Sequence, residues 1–173
     1  EDPLAFQAIL DPICAALGAA HARGVVHRDL KPDNVFLPAT GEPRAKLVDF
    51  GLSRLAKADQ ALTQSGMILG TPRYVAPEQL EDASSAGPAV DIYSLGVVVY
   101  ESLTGRSPYP AEDYGQLLGC VLEGRTTPLE ALRPDLAGLG EVLRRALQPT
   151  PAQRFGSVDE LADAYAAAVG RPS

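Results

Sequence analysis

Gly24-Val25-Val26-His27-Arg28-Asp29-Leu30-Lys31-Pro32-Asp33-Asn34 is the stretch on which the fold of this chain turns. After an apolar lead-in, it sets an acid, two cations and an amide within eight residues. Everything else can be placed relative to it.

Upstream, Asp2-Pro3 reads as a helix N-cap followed by proline at the first helical position. Leu4, Ile9, Leu10, Ile13, Leu17 and Ala20 recur at helical spacing, which predicts a helix to about Ala22, ended by Gly24. Pro12 lies inside it. An interior proline costs about 3 kcal/mol or kinks the helix, so two shorter helices are an alternative. Downstream, Val35-Phe36-Leu37 and Ala45-Lys46-Leu47-Val48 flank turn chemistry at Pro38 to Pro43, which predicts a hairpin. Asp49 to Glu78 is a long polar excursion, and loops of that length are usually functional or disordered.

Val90 to Leu103 is apolar almost all round. Its Val97-Val98-Val99 run has strand propensity, but its length and Gly105 just beyond it favour a buried helix. Shorter helices are expected over Gln116 to Glu123 and Leu139 to Leu147. Ser157-Val158-Asp159-Glu160 reads as a capping box opening a last helix, with Val158, Leu161, Ala162, Tyr165 and Val169 on one face. The expected fold class is therefore mostly α with one small β-hairpin.

At 173 residues, 46% hydrophobic and 21% charged, the chain has the composition of one globular domain able to bury a core. The net charge of -7 argues against a nucleic-acid surface, which would be basic. Cys14 and Cys120 lie among apolar residues and outside any CxxC, so both are expected as buried free thiols in a reducing, cytoplasmic setting. No apolar run reaches the roughly 18 residues of a membrane span, although a parent protein could be anchored through other regions. The chain opens on Glu1 and its one methionine is Met67, so a longer translation product is expected.

Three clusters carry chemistry in order: the His27 to Asn34 stretch, Asp49-Phe50-Gly51 15 positions after Asn34, and Gly70-Thr71-Pro72-Arg73-Tyr74-Val75 leading into Ala76-Pro77-Glu78. Phosphoryl transfer needs a carboxylate to orient the acceptor hydroxyl, cations on the phosphate, and oxygen ligands for Mg²⁺. In wording, order and spacing these clusters resemble the catalytic loop, the metal-binding triplet and the end of the activation segment of eukaryotic-like Ser/Thr protein kinases. With Gln79 after Ala76-Pro77-Glu78, the wording is most like the bacterial members.

The resemblance covers nearly the whole chain and implies the large C-terminal lobe over residues 1–170, with 171–173 as a tail. It implies ATP and Mg²⁺ as cofactors and protein substrates as partners. Asp29 would orient the acceptor hydroxyl, Lys31 would face the transferring phosphate, Asn34 and Asp49 would hold Mg²⁺, and Thr71 would brace Asp29 and Lys31. Phe36 would floor the adenine pocket. His27 and Phe50 would stack within the lobe, with Gly51 completing the triplet. Asp91 would anchor the catalytic loop, and Glu78 and Arg154 would form a buried ion pair that supports the fold. Arg28 beside Asp29 resembles kinases switched on by phosphorylation in the activation segment, where Thr63 and Ser65 are the candidate sites. For Asp29, Lys31, Asn34, Asp49 and Thr71 the plain alternative is a solvated loop side chain, for Phe36 and Phe50 it is simple core packing, and for Thr63 and Ser65 it is that loops are rich in Ser and Thr.

The family's glycine-rich phosphate loop, its strand lysine and that lysine's glutamate partner are not among these residues. They belong to a small lobe expected before Glu1, and the 173 residues alone are expected to bind ATP weakly and transfer phosphate poorly. Two rival readings are a non-catalytic kinase-like scaffold and a small-molecule phosphotransferase. Intact Asp29, Asn34 and Asp49 speak against the first; Lys31-Pro32 and Ala76-Pro77-Glu78 speak against the second.

Overall fold

The computed structural model describes residues 2–39, 45–49, 72–82 and 87–170. Seven α-helices and one two-stranded sheet lie among them. Helix α1 (Pro3–His21) begins as its sequence dictates, with the Asp2 carboxylate accepting the Leu4 N–H at 2.9 Å. It runs unbroken through Pro12, so the two-helix alternative does not hold. Leu10, Ile13 and Cys14 are buried on either side of that proline, and their packing offsets the one missing backbone bond. Leu4 departs from the predicted apolar face, pointing outward with 63% of its surface exposed. By length and composition α1 could cross a membrane, contrary to the sequence reading. In this fold Phe6, Leu10, Ile13, Cys14 and Leu17 bury one side of it, chiefly against the last helix, α7 (Val158–Val169). Burial, aided by the negative charges of Asp11 and Asp159, pushes the Cys14 thiol up to about 12.

The hairpin forms as expected, with β1 (Val35–Phe36) antiparallel to β2 (Lys46–Leu47) in the register Val35 to Leu47 and Phe36 to Lys46. The described part of the polar excursion holds an element the sequence did not announce, the short helix α2 (Pro77–Glu81). Helix α3 (Ala89–Thr104) is the axis of the fold, buried without interruption from Val90 to Tyr100. The strand propensity of its valines is overridden because neighbours cover every face. It ends at Gly105, whose φ of 69° is the left-handed cap that glycine adopts without strain.

Helices α4 (Tyr114–Glu123), α5 (Leu129–Leu132) and α6 (Ala137–Ala146) complete the lobe with α7. Helix α4 starts two residues earlier than periodicity suggests, because the Asp113 carboxylate accepts the Gln116 N–H and caps it. Helix α6 approaches α3 so closely that a Cβ on Gly96 would lie 2.9 Å from that of Ala146. At α7 only half of the expected capping box forms. Ser157 accepts the Glu160 N–H, while Glu160 reaches past it to the Gly156 N–H and the Arg145 guanidinium. Two apolar clusters result. One joins α1, α3, α6 and α7, and the other joins Ala76, the start of α3, Tyr109 and α4. The loop from His27 to Asn34 emerges beside the point where they meet on α3.

Candidate active site

The site is assembled from α3 outward. Asp91 sits in the first turn of that helix, fully buried, and its carboxylate accepts the backbone N–H groups of His27 at 2.9 Å and Arg28 at 2.8 Å. His21, at the end of α1, adds a third bond at 2.7 Å; since a carboxylate only accepts, the His21 Nε2 carries the proton. The positive end of the α3 dipole favours the charge in this place. Asp91 thus ties the start of the loop to α3. Arg28 follows with a φ of 64°, a left-handed conformation that costs a non-glycine residue about 1–3 kcal/mol and that its bonded neighbours hold in place.

His27 is also fully buried, and both of its ring nitrogens are used. Nε2 lies 3.2 Å from the Val48 carbonyl, which can only accept, so Nε2–H donates; Nδ1 then accepts the Asp29 N–H at 3.4 Å. One imidazole therefore joins the backbone of Asp29 to Val48, the residue preceding Asp49. The Val48 N–H returns a bond to the Asn34 carbonyl at 3.0 Å. Asn34, 7% exposed, donates its amide N–H to the Asp29 carbonyl at 2.7 Å. That leaves the amide oxygen, a hard donor of the kind Mg²⁺ takes, as the other end of the group. Asp49 also has a left-handed φ, 55°, which aspartate tolerates better than most residues.

Asp29, Asn34 and Val48, which precedes Asp49, are thus linked chiefly through bonds to backbone groups. Lys31 approaches the Asp29 carboxylate at 3.4 Å, each side chain 32% exposed, and the Asn34 amide N–H lies 3.5 Å from the same carboxylate. Phe36 is 57% exposed, so simple core packing does not describe it. Val25, Leu37 and Val48 are exposed apolar neighbours in sequence or strand. Phe50, Gly51, Thr63, Ser65 and Thr71 lie outside the described residues.

Beyond the loop, Glu78 and Arg154 form the expected ion pair, doubly bonded at 2.7 Å and 2.7 Å. The remaining guanidinium N–H groups reach the carbonyls of Gln148, Ala89 and Pro149, and the Tyr93 ring lies 4.7 Å below. Tyr74 donates its hydroxyl to Glu101, and Arg73 approaches the same carboxylate at 3.4 Å. Burial, reinforced by Glu101, raises the Tyr74 phenol well above its ordinary range. Two residues near the loop escaped sequence reasoning. His21 offered the signal of a polar ring ending an apolar helix. Gln79 offered a stronger one, since glutamine three residues after a helix start is half of a capping box.

The chain belongs to the protein kinase domain family, which matches residues 3–165. Within that family it is 43% identical over 157 residues to the serine/threonine-protein kinase Pkn1 of Myxococcus xanthus, covering 89% of this chain and 22% of that protein. It is 39% identical to serine/threonine-protein kinase PknA of Mycobacterium tuberculosis, over 92% of this chain and 36% of that one. The crystal structure of the Mycobacterium tuberculosis PknI kinase domain superposes with a TM-score of 0.69 at 32% identity, over 96% of this chain and 55% of that domain. The chain therefore spans well under half of these curated relatives and about half of a solved kinase domain.

Proposed function

We propose that these residues are the large lobe, 1–170 with a short tail at 171–173, of a bacterial-type Ser/Thr protein kinase that moves the γ-phosphate of ATP to protein hydroxyls. One observation carries this reading. Asp29, Asn34 and the strand leading to Asp49 are held in one arrangement by Asp91 and His27, with Lys31 beside the carboxylate.

The residues fit a metal–nucleotide. Asn34 offers an oxygen from an amide whose N–H end is committed, Asp49 offers a carboxylate, and Mg²⁺ ordinarily needs only one or two such ligands besides phosphate oxygens. When bound, ATP·Mg²⁺ supplies the transferable phosphoryl group and the charge that neutralises it. Asp29 orients the acceptor hydroxyl and takes up its proton. Lys31 leaves its loose contact with Asp29 to face phosphate oxygens. Phe36 presents an exposed ring to the base, and Thr71 braces Asp29 and Lys31. Arg28, with Thr63 or Ser65 phosphorylated, orders the activation segment.

The glycine-rich loop and strand lysine are absent from these 173 residues, so a small lobe from outside them completes the cleft. The free thiols and the use of ATP fit a cytoplasmic setting.

The test is phosphate transfer by the complete gene product, offered protein and small-alcohol acceptors side by side. Transfer to protein Ser/Thr is expected, and Asp29→Ala should lower kcat by about 10²–10⁴-fold with the fold intact. Full activity in that variant, or transfer to small alcohols alone, rejects the reading.

A further inference from the structure

Gln79 occupies an unusual place between two segments that the kinase reading assigns to different tasks. It is the third residue of α2, and its side-chain oxygen accepts the Ala76 N–H at 3.1 Å, capping the helix that ends the Pro72 to Val75 segment. The nitrogen of the same amide donates to the Arg28 carbonyl at 3.0 Å, 51 positions earlier in the chain. Arg28 is the left-handed residue, and its carbonyl belongs to the peptide that leads into Asp29.

Asp91 holds the N–H side of Arg28 and Gln79 holds its carbonyl side, so side chains from two other elements grip both peptides flanking the strained residue. We propose that Gln79 is a positioning residue: it sets the orientation of the Arg28–Asp29 peptide, and with it the Asp29 carboxylate, from the segment 72–76. The inference rests on the kinase reading above.

The chemistry of the bridge is specific. One end must accept and the other must donate, which an amide does and a carboxylate does not. A glutamate of equal length would keep the Ala76 cap while setting an acceptor against the Arg28 carbonyl. An alanine would lose both contacts.

Gln79→Glu in the complete gene product separates the roles. The expected result is a fall in kcat of about tenfold with KM for ATP unchanged and thermal stability within about 2 °C of the parent. Hydrogen exchange should quicken in a peptide spanning 27–34 and stay unchanged in α3. Gln79→Ala should show the same loss of kcat together with a lower Tm. A parental kcat in Gln79→Glu, or unchanged exchange at 27–34, overturns the proposal. Asp29→Ala run alongside keeps the two claims apart. If it abolishes transfer while Gln79→Glu does not impair it, only this inference fails. If Asp29→Ala remains active, the kinase reading fails, and the exchange readout still decides whether Gln79 holds the loop.

Discussion

Glu78 with Arg154 and Asp29 with Lys31 are both carboxylate–cation pairs, yet they differ in nearly every respect. The first is bidentate at 2.7 Å, with the arginine side chain wholly buried and the glutamate 18% exposed. Every N–H of that guanidinium has an acceptor, so the group is committed to structure. The second pair meets at 3.4 Å with 32% of each side chain exposed. It is long for a hydrogen bond and lies where solvent screens it, so breaking it costs little. The fold thus places its tight pair away from the proposed site and its loose pair within it.

The sharpest way to break the contrast is Arg154→Ala. It leaves the Glu78 carboxylate and three carbonyls without their donor, and a loss of about 3–5 kcal/mol is expected, read as a Tm lowered by roughly 8–15 °C. A shift under 2 °C would show the buried pair to be as dispensable as a surface one.

Alkaline pH probes the same region next. Burial pushes the Tyr93 phenol up to about 12, and Tyr109, bonded to it, is raised further by burial and by its neighbour. A phenol that holds its proton more tightly in the fold stabilises it fully below the unfolded value near 10. That contribution drains away as pH climbs through 12. Stability measured by denaturant should therefore be flat at neutral pH and fall steadily above pH 10. Unchanged stability at pH 11.5 would contradict the burial of these rings. The His27 to Asn34 loop contains no tyrosine and should feel this change only through global unfolding.

The smallest expected effect on stability completes the series. Lys31→Ala should alter stability by less than about 1 kcal/mol while depressing phosphate transfer. A large loss of stability would mean that the loose pair is structural after all.

How much of this was legible beforehand follows the same division. Helices α1, α3 and α7 and the hairpin were readable because period, caps and glycine stops agree locally. The continuity of α1 through Pro12 was not, since it depends on neighbours that bury Leu10 and Ile13. Helix α2 is too short for periodicity to register, and its cap depends on a side chain that also bonds a loop 51 positions away. Within the site, the roles proposed for Asp29, Lys31, Asn34 and Asp49 came from the resemblance of their motifs to those of a known family. What links Asp29 to Val48 could not be read in that way: a histidine sharing its two nitrogens between them is a property of three-dimensional arrangement.

The clasp between Glu78 and Arg154 also has a meaning in time. Its partners are 76 positions apart, so it closes only after the intervening helices have been gathered in. Such a contact is expected to form after the folding transition state and so to add to the barrier against unfolding. Its loss should therefore leave the refolding rate nearly untouched and show itself as faster unfolding, so that the pair governs how long the lobe persists once formed.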